Sequence, residues 1–226
     1  MHYKNLLFDA DNTLFCFDRA NRCAFEATCR AMDIPYSEET FACYERCNRV
    51  LWEKFDRGEL KKDEVVVQRF INFLREIGLT RDPEECNRIH LSTLGRCTFL
   101  MPHAAEVVRK LSETHPLYLI TNAVASVQES RLAKSEIAPY IKAAYISEVA
   151  GAGKPSCEYF DYVFSHAGGL TKENCLVIGD SLSSDIQGAN NYGLPCCWFN
   201  PKGVENDREL RIDYEITDLR ELYDIV

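Results

Sequence analysis

No stretch of this chain approaches the ~20 consecutive apolar residues that cross a bilayer, and the residues before Asp9 contain no long apolar leader. The expectation is a cytoplasmic protein without a membrane partner. Positive charge is in deficit: 26 Lys and Arg stand against 35 Asp and Glu, a formal net charge of −9. The basic residues are scattered rather than clustered, so a nucleic-acid polymer, which such a chain would repel, is excluded as a partner. The spacing of a metal knuckle is missing too. There are 11 cysteines, an odd number that cannot all pair, and no two are related as Cys-x-x-Cys. Cys43 and Cys47 share one face of a predicted helix, but no histidine stands near them with ligand spacing. They are read as small buried thiols of a reducing compartment, not as a zinc site. No internal repeat or low-complexity segment is present.

What remains is a globular composition, 46% hydrophobic and 27% charged over 226 residues, enough for one larger domain with an insert. Continuous apolar runs recur at Tyr3 to Phe8, Leu117 to Thr121, Ala144 to Ser147, Cys175 to Asp180 and Cys196 to Phe199. Runs that do not alternate suit strands buried on both faces of a parallel sheet. Helical patterns lie between them, at His103 to Thr114, Ser126 to Lys134, Cys157 to Gly168 and Ser184 to Tyr192. That order predicts an α/β fold with a doubly wound, Rossmann-like parallel sheet. One region breaks the alternation. From about Phe17 to Cys97 only amphipathic helices are found: Arg19 to Met32, Ser37 to Phe55, Lys62 to Ile77 and Pro83 to Leu94. Ser37 is the expected N-cap of the second, and Gly58 and Gly78 are expected stops. The predicted division is a core of residues 1–15 and 99–226, with an all-helical cap of residues 16–98 inserted after the first strand.

Ligands of an open parallel sheet bind beyond the carboxyl ends of its strands, and those ends are polar here. The first closes on Asp9-Ala10-Asp11, the second on Thr121-Asn122 and a later one on Gly179-Asp180, with Asp185 following. Lys154 follows the third strand in Gly153-Lys154-Pro155. Carboxylates brought that close repel one another and resist desolvation, unless a divalent cation sits among them. An all-oxygen donor set with open positions suits Mg2+, which bridges to phosphate oxygens. The lone lysine would then hold the remaining phosphate oxygens as a point charge.

The set Asp9-Ala10-Asp11-Asn12-Thr13-Leu14, Thr121-Asn122, Lys154-Pro155 and Gly179-Asp180-Ser181 to Asp185 resembles, in that order, the motifs of the haloacid dehalogenase superfamily of phosphohydrolases. The helical insert is similar to that superfamily's cap. Asn48-Arg49-Val50-Leu51-Trp52 with Gly58, Ser147-Glu148-Val149, Phe160-Asp161-Tyr162 and Cys197-Trp198-Phe199-Asn200 resemble the bacterial 5'-nucleotidases that act on pyrimidine and non-canonical nucleoside monophosphates. The resemblance implies Asp9 as a nucleophile forming an aspartyl-phosphate and Asp11 as general acid, then base. Asp9, the Asp11 carbonyl and Asp180 would hold magnesium, with Asp185 orienting that shell. Thr121, Asn122 and Lys154 would bind the phosphoryl oxygens. Thr13 and Ser181 would brace the loops. The segments Phe15 to Asp18 and Thr98 to Pro102 would be hinges for cap closure, which would bring Phe17, Asn48 and Trp52, the candidates for a slot that takes a flat nucleoside base, over the leaving group. The expected activity is hydrolysis of a nucleoside monophosphate, with a sugar-phosphate or phosphoglycolate phosphatase as the alternative. A phosphoglucomutase would want a more basic cap. A 2-haloacid dehalogenase would need neither Asp11 nor Asp180, and a catalytically idle nucleotide-binding module should have lost one of these groups. Oligomeric state is left open.

Overall fold

The computed structural model describes residues 3–226. Six strands form one sheet: β1 (Asn5–Asp9), β2 (Leu117–Thr121), β3 (Ile141–Ile146), β4 (Cys175–Gly179), β5 (Cys196–Phe199) and β6 (Tyr214–Ile216). Their order is β3-β2-β1-β4-β5-β6 and every pairing is parallel. Every residue of β1, β2, β4 and β5 is buried, which is why their sequences run apolar without alternation. Successive side chains still point to opposite faces. Leu6, Phe8, Leu117 and Leu119 enter one core cluster, and Leu7, Tyr118 and Ile120 enter the other.

Nine α-helices are found among the described residues. α5 (Ala104–Leu111) covers the first face through Val107, Val108 and Leu111. α8 (Cys157–Ala167) and α9 (Gln187–Tyr192) cover the second through Tyr159, Phe160, Val163 and Ala189. α6 (Ala125–Lys134) and the one-turn α7 (Ser147–Ala150) follow β2 and β3. No helix of the described residues is long and apolar enough to cross a membrane.

β6 was not foreseen. It is an edge strand of three residues with only Ile216 buried, too short for a periodic signal. The predicted single helix from Ser184 to Tyr192 is instead a π turn, Leu182–Ile186, running into α9. The wider turn lets Asp185 face inward, as π turns at functional sites often do.

Between β1 and β2 lie α1 (Phe17–Ala31), α2 (Glu38–Asp56), α3 (Lys62–Glu76) and α4 (Pro83–Leu94), the helical cap. The Ser37 hydroxyl accepts from the Thr40 N–H at 3.2 Å, and the Thr40 hydroxyl accepts from the Ser37 N–H at 2.8 Å, a reciprocal cap. Gly58 and Gly78 stop their helices at φ +73° and +69°, a conformation that favours glycine. The cap has its own interior, in which Phe25 stacks on Tyr44 at 4.5 Å and meets Phe73 at 5.2 Å. The two chain crossings between cap and core run side by side. The Cys16 N–H donates to the Phe99 carbonyl at 2.8 Å, and the Met101 N–H to the Leu14 carbonyl at 2.9 Å. All 11 cysteines are unpaired.

Phe25→Ala empties the centre of the cap cluster and is expected to cost about 3–5 kcal/mol of stability. A denaturant titration reads this as a lower unfolding midpoint.

Candidate active site

The sheet gathers the predicted polar residues because β1, β2 and β4 are adjacent and parallel, so their carboxyl ends open on one rim. Asp9 ends β1, Thr121 ends β2 and Asp180 follows β4. Lys154, fully buried, reaches into this rim. Its ammonium donates to Asp9 Oδ1 at 2.6 Å, Asp185 Oδ1 at 2.7 Å and the Ile120 carbonyl at 2.9 Å. All three of its donors are thereby used. The Lys154 backbone is held by Asn122, whose Oδ1 accepts the Lys154 N–H at 2.9 Å and whose Nδ2 donates to the Lys154 carbonyl at 2.7 Å. Thr121 is fixed by Tyr159, whose hydroxyl accepts the Thr121 N–H at 3.0 Å and donates to the Tyr145 carbonyl at 2.7 Å.

Carboxylate oxygens of Asp9, Asp180 and Asp185 lie within 4.8 Å of one another. Burial, then the charge of Asp185, pushes the Asp9 carboxyl up to about 7. Burial and the charges of Asp9 and Asp185 push Asp180 well above the usual range. Burial alone would lower Lys154, but the charges of Asp185 and Asp9 outweigh it and the ammonium is held well above its ordinary value. Three carboxylates against one ammonium leave a deficit of two positive charges (3 − 1) when all are ionised. A divalent cation answers that deficit, and the donor set fits one. Both oxygens of Asp185 are engaged, by Lys154 and by the Ser181 N–H at 3.1 Å. One oxygen of the Asp180 carboxylate accepts from the Thr13 hydroxyl, at 3.4 Å, and Lys154 takes one oxygen of Asp9. Asp9 and Asp180 are therefore the open donors, and Asp185 is positioned to brace them.

A cavity of about 240 Å³ lies between this rim and the cap. Asp9, Asp11, Thr121, Asn122, Lys154, Asp180 and Asp185 all line it, as do Phe17 and Trp52 from the cap. Asn48 does not. It is buried behind the wall, and its Oδ1 accepts from Trp52 Nε1 at 3.2 Å and from Arg69 Nη1 at 3.2 Å. Asn48 is therefore the one expected base-slot residue that the structure does not bring to the cavity, and its amide oxygen holds its neighbours Trp52 and Arg69. Thr13 and Ser181 brace their loops, Thr13 through Asp180 and Ser181 by accepting the Ser184 N–H at 3.2 Å.

Two lining residues have no sequence signal. Arg131, on α6 and fully buried, pairs with Asp11 Oδ1 at 2.5 Å. Its Nε donates to the Cys97 carbonyl at 3.2 Å, and Phe15 lies under its guanidinium at 4.6 Å. It thus touches Asp11 and both chain crossings. Arg69, on α3, is the other. Both fall in helical patterns where a basic residue reads as a solvated face, and only packing turns them inward. Lys62 joins cap to core, donating to the Ala123 carbonyl at 2.7 Å and the Ser147 hydroxyl at 2.6 Å. Burial lowers it to about 8. Apart from the cavity, Cys43, Cys47 and Glu76 come within 4.8 Å of one another inside the cap. Burial pushes the Cys47 thiol up to about 12, and Glu76 is paired with Arg46.

A parallel α/β core, a helical cap over its strand ends and this acid–lysine centre define a capped phosphohydrolase. The model of the haloacid dehalogenase-like hydrolase family matches residues 3–193, and the chain belongs to that family. It is 36% identical over 224 residues to the HAD-hydrolase YfnB of Bacillus subtilis, covering 99% of this chain and 95% of that protein. A crystal structure of YfnB bound to magnesium superimposes with a TM-score of 0.95, covering 100% of this chain and 99% of that one. The chain is 31% identical over 225 residues to the pyrimidine 5'-nucleotidase PynA of Streptococcus pneumoniae, covering 99% and 95%. It is 26% identical over 222 residues to the pyrimidine 5'-nucleotidase YjjG of Escherichia coli, covering 98% and 97%.

Two outcomes follow from the geometry. A Cβ at Gly179 would overlap the Asp185 carboxyl, so Gly179→Ala is expected to weaken metal activation about 10- to 100-fold, read in a magnesium titration of activity. The second concerns pH. Burial and the neighbouring Asp185 hold the Asp9 carboxyl up at about 7 against an ordinary 3.8, so between those values the native state holds the extra proton. Its contribution to stability therefore falls as pH rises through that window. Magnesium requires the deprotonated carboxylates, so its elevation of Tm should be larger at about pH 8 than at about pH 5.5, measured by thermal unfolding with and without the ion.

Proposed function

We propose that this phosphohydrolase is a magnesium-dependent 5'-nucleotidase that cleaves nucleoside monophosphates through an aspartyl-phosphate on Asp9. The observation that carries the reading is the state of Asp9. It is buried, Lys154 pairs with one oxygen, and it lines the cavity together with Asp180. A carboxylate so placed is short of solvent and set to attack phosphorus.

In the first step an Asp9 oxygen bonds to phosphorus, the ester P–O bond breaks and Asp11 gives its proton to the leaving oxygen. In the second, Asp11 takes a proton from water, that water's oxygen bonds to phosphorus, and the P–O bond to Asp9 breaks to free phosphate. Lys154 and the Thr121 hydroxyl balance charge on the phosphoryl oxygens throughout. Magnesium, held by Asp9, the Asp11 carbonyl and Asp180, would supply further charge neutralisation on those oxygens. Arg131 fixes Asp11 at one oxygen, which limits the orientations its carboxyl can take. The cap of residues 16–98 closes over the leaving group, and Lys62, which donates to Ala123 and Ser147, ties it to the core. The aromatic walls offered by Phe17 and Trp52 and the similarity to the pyrimidine 5'-nucleotidases PynA and YjjG support a nucleoside as leaving group. Eleven unpaired cysteines support a cytoplasmic setting.

The test is phosphate release from a panel of nucleoside monophosphates, sugar phosphates and 2-phosphoglycolate, with magnesium and with chelator. Nucleoside monophosphates should give the highest kcat/KM and chelation should abolish turnover. Asp9→Asn should lower kcat by about 10⁴-fold or more. A preference for sugar phosphates or phosphoglycolate would overturn the nucleotidase reading.

A further inference from the structure

Three buried cations line the cavity: Lys154, Arg131 and Arg69. Lys154 and Arg131 are each paired with a carboxylate of the core. Arg69 is the exception. Its Nε donates to the Val66 carbonyl at 3.1 Å, Nη1 to Asn48 Oδ1 at 3.2 Å and Nη2 to Asn87 Oδ1 at 3.1 Å. All three acceptors are neutral, and no described carboxylate forms an ion pair with it. Burying a charge without a counter-charge is costly. The faces of Phe70 at 5.2 Å and Tyr44 at 5.8 Å offset part of that cost.

The surplus of donors points to a ligand. A guanidinium has five N–H groups, and the three bonds use three, leaving two (5 − 3) on the Nη atoms of a side chain that lines the cavity. The same Asn48 oxygen that accepts from Arg69 also accepts from Trp52 Nε1, so one amide fixes both the cation and a flat apolar surface. Phe17, Leu91 and Leu94 add further apolar wall. The four lining carboxylates, Asp9, Asp11, Asp180 and Asp185, all come from the core. The cap side of the cavity therefore offers an apolar face and one rigid donor group. That combination matches a planar ring bearing an electron-rich oxygen.

We infer that Arg69 is a specificity-determining residue that donates to a ring carbonyl of the leaving group, so that the cap selects carbonyl-bearing heteroaromatic bases. This rests on the nucleotidase reading above. A carboxylate-bearing leaving group is the competing occupant. Aromatic and aliphatic walls disfavour it, because they leave the flank of a small anion dry and without further donors.

The experiment compares kcat/KM for uridine 5'-monophosphate, for the 5-phosphate of phenyl riboside (the same ribose with a ring lacking carbonyls), for 2-phosphoglycolate and for p-nitrophenyl phosphate. Wild type should prefer uridine 5'-monophosphate to the phenyl analogue by about 10- to 100-fold, the scale of a hydrogen bond to a charged group. Arg69→Met should erase that preference by lowering turnover of uridine 5'-monophosphate about 10- to 100-fold more than turnover of the phenyl analogue or of p-nitrophenyl phosphate, a selectivity change that a purely structural role would not produce. Calorimetry should show uridine itself binding more weakly to the variant. If Arg69→Met fails to fold, the wild-type comparison decides alone: equal kcat/KM for the two ribosides overturns the inference. Retained selectivity in Arg69→Met overturns it too, as does a wild-type preference for 2-phosphoglycolate that the variant loses. Hydrolysis of other phosphate esters but of no nucleoside monophosphate by wild type would instead overturn the nucleotidase reading, and this inference with it.

Discussion

The site is organised around one buried ammonium. Lys154 ties together the end of β1 through Asp9, the end of β2 through the Ile120 carbonyl and the turn after β4 through Asp185. None of these partners could tolerate burial alone. An unpaired carboxylate in a dry site would take up a proton, and an unpaired ammonium would lose one. Together they fix three strand ends to a common point. They still leave the cluster short of positive charge, which is the electrostatic demand that a divalent cation and a phosphoryl group both address. The clasp of Asn122 on the Lys154 backbone shows how much of the loop structure serves to hold that single side chain in place.

The cap answers a different requirement. Its helices cluster around Phe25, Tyr44, Phe70 and Phe73, so it has an interior of its own and can present side chains to the core from a rigid frame. The frame meets the core at the paired chain crossings, at Lys62 and at the apolar contact of Leu94 and Val127. Arg131 lies where these features converge, touching Asp11, the Cys97 carbonyl and Phe15. The acid that would protonate the leaving group is therefore held by a residue that also holds the crossings. Chemistry and cap position share one physical connection.

Much of this was legible in the residue order. Non-alternating apolar runs gave the parallel sheet, and uninterrupted amphipathic periodicity gave the cap. Ser37, Gly58 and Gly78 marked helix ends through local chemistry that needs no tertiary context. Asp9, Asp11, Thr121, Asn122 and Asp180 stood out as candidates because polar residues at the carboxyl ends of buried strands break an otherwise apolar pattern, and Lys154 and Asp185 because they follow such ends within a short stretch of chain. β6 was not, since three residues at a sheet edge carry no period. The π turn was not either, because the inward face of Asp185 is a demand made by Lys154, which is distant in the chain.

Sequence alone determined the local elements and the set of strand-end acids, because both follow from short-range periodicity and the direction of the chain. Tertiary structure decided which charges are buried and with whom. It sent Arg131 to Asp11, left Arg69 among neutral acceptors and put Asn48 behind the cavity wall rather than in it. A helix repeats every 3.6 residues whatever it packs against, so its sequence shows which side is polar. Only the packing of α3 and α6 against their neighbours decides that a basic residue faces a cavity instead of water.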